Sequence, residues 1–321
     1  MSEIVVSENV SGHGMDRLRH ERDVFYSPHL WHSPDELKAA LAHAQALVVR
    51  NQTKVTADVI AAAPQLKIIA RAGVGVDNID VAAASAAGVV VSYTPAANAV
   101  SVAELAMGLM LALARHIPSA HVHATHGGWD RVRFMGTELA GRTLGIVGFG
   151  RIGQLVAQRA RAFDMQVVTA DSLLRPDSPA LLRHDACLLT LDDLLAAADI
   201  VTLHVPLTAD TNNLIGAAQL ARMKPTALLI NTSRGEVVDE PALLAALEAA
   251  QIAGAALDVR RKEPPEPSIF DTLPNVILLP HLGAFTHEAQ ERVIDAVCRD
   301  VKLVLAGRPA VEYFNFPDPT R

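Results

Sequence analysis

Short, mostly apolar runs recur along the chain, each stopping at a polar or glycine-rich turn. They lie at 4–6, 24–26, 46–49, 67–70 and 88–91, and again at 143–147, 167–170, 199–203, 228–230, 252–257 and 276–280. The runs lack in-and-out alternation, which predicts strands buried on both faces, as in parallel sheets. Between them apolar residues fall at helical spacing, for example Ile152, Leu155, Val156, Ala160 and Phe163 on one face. Leu105, Leu109, Met110 and Leu113 predict a longer helix over about 100–116. Ser33-Pro34-Asp35-Glu36 ahead of Leu37 reads as a helix start, with a serine cap and proline in the first turn. Strands alternating with helices predict parallel sheets with helices on both faces. The first set of runs reads as a small α/β domain of its own, and the second set as another.

The second set opens on the most informative stretch. The run 143–147 ends in Gly148-Phe149-Gly150-Arg151-Ile152-Gly153, and a helical pattern starts at once. In such a G-x-G-x-x-G turn the first glycine makes the bend and the second lets backbone approach a pyrophosphate. The third lets helix pack on strand. The helix amino terminus then offers free N–H groups and the positive end of its dipole. By itself the motif is weak, because tight glycine turns also arise by chance. Here the next run ends in Asp171, 18 residues beyond Gly153, where a carboxylate can accept hydrogen bonds from the ribose hydroxyls of an adenine nucleotide. Asp171 also repels a 2′-phosphate, which favours NAD, while nearby Arg175 leaves NADP open.

Composition narrows the class. A chain of 321 residues suffices for two domains, and 50% hydrophobic with only 4% aromatic residues suits alanine-rich helices on buried strands. A net charge of −7 gives no footprint for nucleic acid. Cys187 and Cys298 form neither a C-x-x-C nor a disulfide framework. The start lacks the basic and apolar pattern of a secretion signal, and the longest apolar stretch, 105–114, falls short of a membrane span. A cytoplasmic enzyme without membrane attachment is the expectation. Residues 118–139 read as polar and irregular; His121, His123 and His126 within them fit no zinc spacing, so no metal is expected. The helix over 100–116 reads either as a domain connector and dimer face or as a buried helix within one subunit.

Polar residues gather where the runs end, which is where open α/β sheets bind ligands. In the first set, Arg50-Asn51-Gln52-Thr53-Lys54 follows one run and Arg71-Ala72-Gly73-Val74-Gly75 another. Glycine N–H groups there could hold an anion; the alternative is tight turns with surface arginines. In the second set, runs lead into His204-Val205-Pro206, Asn231-Thr232-Ser233-Arg234, Asp258-Val259 and His281-Leu282-Gly283. Redox chemistry at a nicotinamide moves a proton with the hydride, and histidine is the side chain that titrates near neutrality. His281 is the candidate, Glu263 could hold it, and Arg234 could supply a guanidinium fork for a substrate carboxylate.

These motifs together resemble the D-isomer-specific 2-hydroxyacid dehydrogenase family over essentially the whole chain. The matching stretches are Arg71-Ala-Gly-Val-Gly-Val-Asp77-Asn78, the glycine fingerprint, His204-Val-Pro-Leu-Thr208, Asn231-Thr-Ser-Arg-Gly235, Asp258 with Glu263-Pro-Pro, and Pro280-His-Leu-Gly-Ala284. The resemblance implies a Rossmann NAD-binding domain, 99–288, inserted into a flavodoxin-like substrate domain, 1–98 with 289–321. It implies Arg234, Glu263 and His281 as catalytic residues. It implies NAD contacts from Gly148, Gly150, Arg151, Ile152, Gly153, Asp171, His204, Val205, Pro206, Thr232, Asp258 and Gly283. Arg50, Arg71, Val74 and Gly75 would face the substrate. The expected activity is NAD-dependent interconversion of a D-2-hydroxy acid and its 2-oxo acid, in a homodimer.

Within the family the wording is closest to that of phosphoglycerate dehydrogenases, in a short form without the regulatory extension. Three departures leave the substrate open. Arg260-Arg261 stands where an aromatic residue normally follows Asp-Val, Phe285 replaces a small residue, and Asn51-Gln52 replaces a small pair. Hydroxypyruvate, glyoxylate or a sulfolactate-type acid is the alternative substrate class, and a NAD(H)-sensing corepressor-like binding protein is a second kind of function.

Overall fold

The computed structural model describes residues 2–316. They fall into two compact units, one made of residues up to Asn98 with those from Ala284 onward, the other of Ala99–Gly283. The first unit holds β1 (Ile4–Val6), β2 (Val24–Tyr26), β3 (Ala46–Val49), β4 (Ile68–Arg71) and β5 (Val90–Ser92). Every neighbouring pair is parallel, in the order β2-β1-β3-β4-β5, the flavodoxin-like arrangement. The period of two along each strand sends side chains to alternate faces. Ile4, Val6, Ala46 and Val48 join one buried layer, with Met15 and Leu18 of helix His13–Glu21 and Val293, Val297 and Val301 of helix His287–Leu305. Val5, Leu47 and Val49 join the other, beneath Leu37, Leu41, Val59 and Ile60. Burial on both faces is why these strands read as continuous apolar runs. Each fully buried aliphatic side chain contributes about 1.5–3 kcal/mol.

The second unit holds β6 (Thr143–Val147), β7 (Gln166–Ala170), β8 (Ala186–Leu188), β9 (Ile200–Leu203), β10 (Leu228–Asn231), β11 (Gly254–Leu257) and β12 (Val276–Leu278). All neighbours are parallel again, in the order β12-β11-β10-β9-β6-β7-β8. Chain order reverses at β6, which has β7 on one side and β9 on the other. Such a switch point leaves a crevice at the strands' carboxyl ends, as in the dinucleotide-binding fold. Helices Ala99–Ala114 and Arg151–Ala162 pack on the face carrying Leu144 and Ile146. Leu194, Leu195, Leu243 and Leu247 cover the face carrying Val147, Val201 and Leu203.

Local differences from the sequence reading have physical causes. Helix Ala99–Ala114 ends before 116, because His116 turns left-handed at φ 53° and caps a second helix, Ile117–Thr125, where irregular chain was expected. Phe163 lies past the end of its helix and is 40% exposed, not part of the buried stripe. Strand β8 is a three-residue edge strand whose Ala-Cys-Leu sequence gave no distinct signal. The chain returns to the first unit at Ala284, ahead of the 288/289 boundary read from sequence. The turn preceding the last helix belongs with that helix. Thr286 Oγ1 accepts the Ala289 N–H at 3.1 Å, and Gln290 Nε2 donates to the Ala284 carbonyl at 2.7 Å. No single helix among the described residues is long and apolar enough to cross a membrane.

Candidate active site

The glycine turn after β6 is built as its spacing requires. Gly148 sits at φ 91°, and a Cβ there would lie 2.7 Å from the His204 carbonyl oxygen. A Cβ at Gly153 would overlap the Gly148 carbonyl oxygen, so helix Arg151–Ala162 approaches β6 only because that residue is glycine. Gly150 caps the helix, and a Cβ there would meet nothing within 4 Å. That open space lies above the helix amino terminus, where the N–H groups of Arg151, Ile152 and Gly153 precede the first helical bond, Gln154 N–H to Gly150 O at 3.0 Å. At the end of β7, Asp171 braces the turn: Oδ2 accepts the Phe149 N–H at 2.8 Å and Oδ1 the Leu173 N–H at 2.9 Å. Arg175 forks onto Asp177, at 3.1 and 2.9 Å.

Further strand ends bring more polar groups to the same edge. After β9, His204 Nε2 lies 3.0 Å from Thr202 Oγ1, while its Nδ1 is buried without a partner among the described residues. Desolvation lowers the His204 pKa to about 3, so its ring is neutral. Val205 and Pro206 follow it directly. After β10, Asn231 organises its own loop: Oδ1 accepts from Ser233 N and Oγ at 3.0 and 2.8 Å, and Nδ2 donates to the Arg234 carbonyl at 2.9 Å. Thr232 Oγ1 is a second buried atom without a partner among the described residues. The Arg234 guanidinium donates to the Ser233 carbonyl at 2.7 Å. Open space at Gly150, a braced acidic residue at 171 and two orphaned polar atoms at the strand ends fit a dinucleotide along this edge.

The chemistry gathers on β11 and β12. His281 Nδ1 and Glu263 Oε2 are 2.7 Å apart, both side chains partly exposed. Burial works to raise the Glu263 pKa. The His281 hydrogen bond and charge, the Arg260 N–H and the Arg234 charge outweigh it and hold the carboxyl below its usual value. His281 itself is left-handed at φ 58°, a conformation that costs a non-glycine residue about 1–2 kcal/mol. Asp258 secures it. The Asp258 carbonyl accepts the His281 N–H at 2.8 Å, and its carboxylate takes the Leu282 and Gly283 N–H groups at 2.6 and 2.8 Å. Two successive N–H groups closing on a carboxylate form a nest that fixes the turn. Burial raises the Asp258 pKa against the pull of those two N–H groups.

One residue of this region, Glu240, escaped the sequence reading, and Arg260 stood out there only as a departure from the family pattern. Arg260 is buried and forks onto Glu240, Nε to Oε1 at 3.1 Å and Nη2 to Oε2 at 3.3 Å. Twenty positions separate them, and no spacing in the sequence pairs the unusual arginine after Asp258-Val259 with Glu240.

In the first unit, Arg50 is tightly held. Its Nη1 donates to the Asn9 carbonyl at 3.1 Å, its Nη2 to Gln290 Oε1 at 2.8 Å, and its Cζ lies 5.2 Å over the Phe285 ring. Desolvation lowers its pKa. The loop it heads is nailed down by buried Glu8, which accepts the N–H groups of Arg50, Gln52 and Thr53 at 2.8, 3.0 and 2.9 Å. After β4, Arg71 Nη1 donates to the Ala72 carbonyl at 3.1 Å, and Val74 and Gly75 follow half-buried. No group of three or more His, Cys, Asp or Glu among the described residues could hold a metal ion.

Comparison with known proteins agrees with this construction. The family model "D-isomer specific 2-hydroxyacid dehydrogenase, NAD binding domain" matches residues 107–283. A D-3-phosphoglycerate dehydrogenase of Synechocystis sp. is 44% identical over 320 residues, which cover 100% of this chain and 57% of that protein. The chain thus spans little more than half the length of that curated relative. The crystal structure of TT0316 protein from Thermus thermophilus superposes with a TM-score of 0.89 at 36% identity, covering 97% of this chain and 99% of that one. An NADPH-dependent glyoxylate/hydroxypyruvate reductase from Sinorhizobium meliloti, in complex with NADP and malonate, gives a TM-score of 0.86 at 31% identity, covering 97% and 96%.

Proposed function

The chain belongs to the D-isomer specific 2-hydroxyacid dehydrogenase family, and from that premise we propose that it is an NAD-dependent oxidoreductase interconverting a D-2-hydroxy acid and its 2-oxo acid. The observation that carries this reading is the 2.7 Å contact of His281 Nδ1 with Glu263 Oε2 at the strand ends of an NAD-binding domain. Bound NADH supplies the hydride that reduces the 2-oxo carbon. With Nδ1 engaged by Glu263, His281 presents Nε2 to the substrate, giving a proton to the carbonyl oxygen in reduction and taking it back in oxidation. Glu263 fixes the ring orientation through its contact with Nδ1. Arg234 holds the substrate carboxylate and polarises the carbonyl. Asp171 receives the ribose hydroxyls, and the amino terminus of helix Arg151–Ala162 receives the pyrophosphate.

The substrate assigned here is the 3-phosphoglycerate and 3-phosphohydroxypyruvate couple. The name of the Synechocystis relative supports it. So does Arg50, a held cation at the end of β3, with Arg71 at the end of β4; the N–H groups of Val74 and Gly75 are assigned to the substrate carboxylate. In this reading the substrate domain is the first unit and the nucleotide domain the second. A second reading, reduction of glyoxylate or hydroxypyruvate, is favoured by the likeness to the Sinorhizobium meliloti enzyme. A homodimer fits the exposed apolar side chains Ile117, Val122, Trp129, Val132 and Met135 that follow helix Ala99–Ala114. Net charge −7 accords with small anionic partners and not nucleic acid, and the cytoplasm is the assigned location.

The test is a His281→Ala variant assayed against a panel of 2-oxo acids with NADH and NADPH. Turnover of the preferred acid should fall by about 10²–10⁴-fold, with NADH affinity within about twofold of the parent. Turnover that survives the substitution would refute the role of His281. A parent enzyme with no rate on 3-phosphohydroxypyruvate and a good rate on glyoxylate would move the substrate to the second reading.

A further inference from the structure

The Glu240–Arg260 pair has no place in the chemistry above, yet it touches the catalytic pair through one peptide. Glu240 opens helix Glu240–Glu248, whose cap is Asp239, with Oδ1 accepting the Ala242 N–H at 3.1 Å. The Glu240 carboxylate therefore stands on a fixed base. It takes the Arg260 guanidinium in a fork and also accepts the Arg261 N–H at 2.8 Å. The side chains are only 8% and 19% exposed. The Arg260 guanidinium carbon lies 4.9 Å over the Phe270 ring. On the other side, the Gly235 backbone presses on the Arg260 carbonyl so closely that a Cβ at Gly235 would overlap it. The segment is pinned from both sides.

What that segment does next is specific. The Arg260 N–H donates to Glu263 Oε1 at 3.1 Å, while Glu263 Oε2 meets His281 Nδ1 at 2.7 Å. One carboxylate oxygen is thus spent on the backbone and the other on the histidine. We infer that Glu240 and Arg260 are positioning residues for the Glu263–His281 pair: their buried fork fixes the peptide whose N–H holds Glu263 in register with the imidazole. Net stabilisation is a weak account of the fork, because an apolar pair of similar volume commonly does as well as a buried ion pair. Phe270 already offers such a partner a surface. What the fork adds is direction. Five donors in a planar group set the rotation of the chain in a way that packing alone does not. The role rests on the reading of His281 as proton donor given above.

The test uses the full-length chain with NADH and the 2-oxo acid the parent reduces best. Glu240→Ala should lower kcat about ten- to hundredfold while the KM for NADH stays within about twofold. The acid limb of its kcat/KM profile should move to higher pH, because Glu263 loses a hydrogen bond that favours its charged form. Glu240→Gln keeps an Oε1 that accepts from Arg260 Nε and Arg261 N, and should recover most of the rate. In a Glu263→Gln background, Glu240→Ala should change kcat by less than about twofold, since the route through Glu263 is already cut.

A loss of equal size in both backgrounds would overturn the inference and leave the pair a structural one. Where Glu240→Ala proves too unstable, the double variant Glu240→Leu with Arg260→Met replaces the fork by an apolar pair. It should fold and still lose kcat; undiminished kcat with a sound fold would also overturn the inference. If the parent reduces no 2-oxo acid, the functional reading fails by itself, and positioning is read from the Glu263 carboxyl titration by carbon-detected NMR. That titration should move to higher pH in the double variant. An unmoved titration would sink the inference independently of turnover.

Discussion

Alanine placed in turn at Gly148, Gly150 and Gly153 should give three different results from one added methyl group. Gly150 has φ −71° and open space, so Gly150→Ala should leave unfolding free energy within about 1 kcal/mol of the parent. Its methyl group projects into the space assigned to the pyrophosphate, and overpacking there costs about 1–3 kcal/mol. NADH affinity should fall by about 5- to 150-fold, since each 1.4 kcal/mol is tenfold. Gly148→Ala meets φ 91° and a carbonyl oxygen 2.7 Å away. Backbone strain of about 1–3 kcal/mol adds to a similar overpacking cost, for about 2–6 kcal/mol of lost stability. Gly153→Ala sits in ordinary helix but overlaps the Gly148 carbonyl oxygen, so it should cost stability by overpacking alone, about 1–3 kcal/mol. Urea unfolding separates the three stabilities, and NADH fluorescence titration gives the affinities. The decisive case is Gly150→Ala. A variant as stable as the parent that binds NADH within twofold would refute the close approach of backbone to the pyrophosphate.

Two further outcomes follow from the site's electrostatics. His204 is held neutral down to about pH 3, below its ordinary 6.5. The unfolded chain takes up a proton that the native one refuses, so acidification from pH 6.5 to 3 should remove as much as about 5 kcal/mol of stability. His204→Gln should flatten that part of the stability profile, and superimposable parent and variant profiles would refute the burial argument. Cofactor choice is the other. Arg175 is engaged with Asp177, and Asp171 is the carboxylate proposed above to receive the ribose hydroxyls, so the parent should prefer NADH over NADPH. Asp171→Asn should narrow that preference about tenfold by removing a like charge from the 2′-phosphate, and an unchanged ratio of kcat/KM would exclude Asp171 as the selector.

Much of the site was legible because its demands fall on residue types at fixed places. A pyrophosphate turn needs glycines at 148, 150 and 153, and strands buried on both faces announce themselves as apolar runs. The ends of those runs are where polar residues have work to do, which brought His204, Arg234, Asp258 and His281 into view. The rest hung on geometry that no spacing encodes. Nothing in the sequence shows that Asp258 turns its carboxylate onto the Leu282 and Gly283 N–H groups and so holds His281 left-handed. The Glu240–Arg260 fork is set by how helix Glu240–Glu248 lies beside the end of β11. Helix Ile117–Thr125 was hidden by its histidines, and β8 by its length of three residues.

The first unit is written in two instalments. One face of its sheet, with Ile4, Val6, Ala46 and Val48, is covered by Met15 and Leu18 of helix His13–Glu21 and by Val293, Val297 and Val301, which belong to the last helix. The 185 residues of Ala99–Gly283 intervene on the ribosome. At about 5–20 residues per second, that leaves the early strands without the second half of their cover for about 10–40 s. During that interval a nascent chain carries a partly exposed aliphatic face, the kind of surface that is prone to aggregate and that chaperones shield. The intervening unit, contiguous in sequence, can fold while the first waits. The insertion therefore sets a schedule for synthesis, and a truncation before residue 293 leaves that face with helix His13–Glu21 and without Val293, Val297 and Val301.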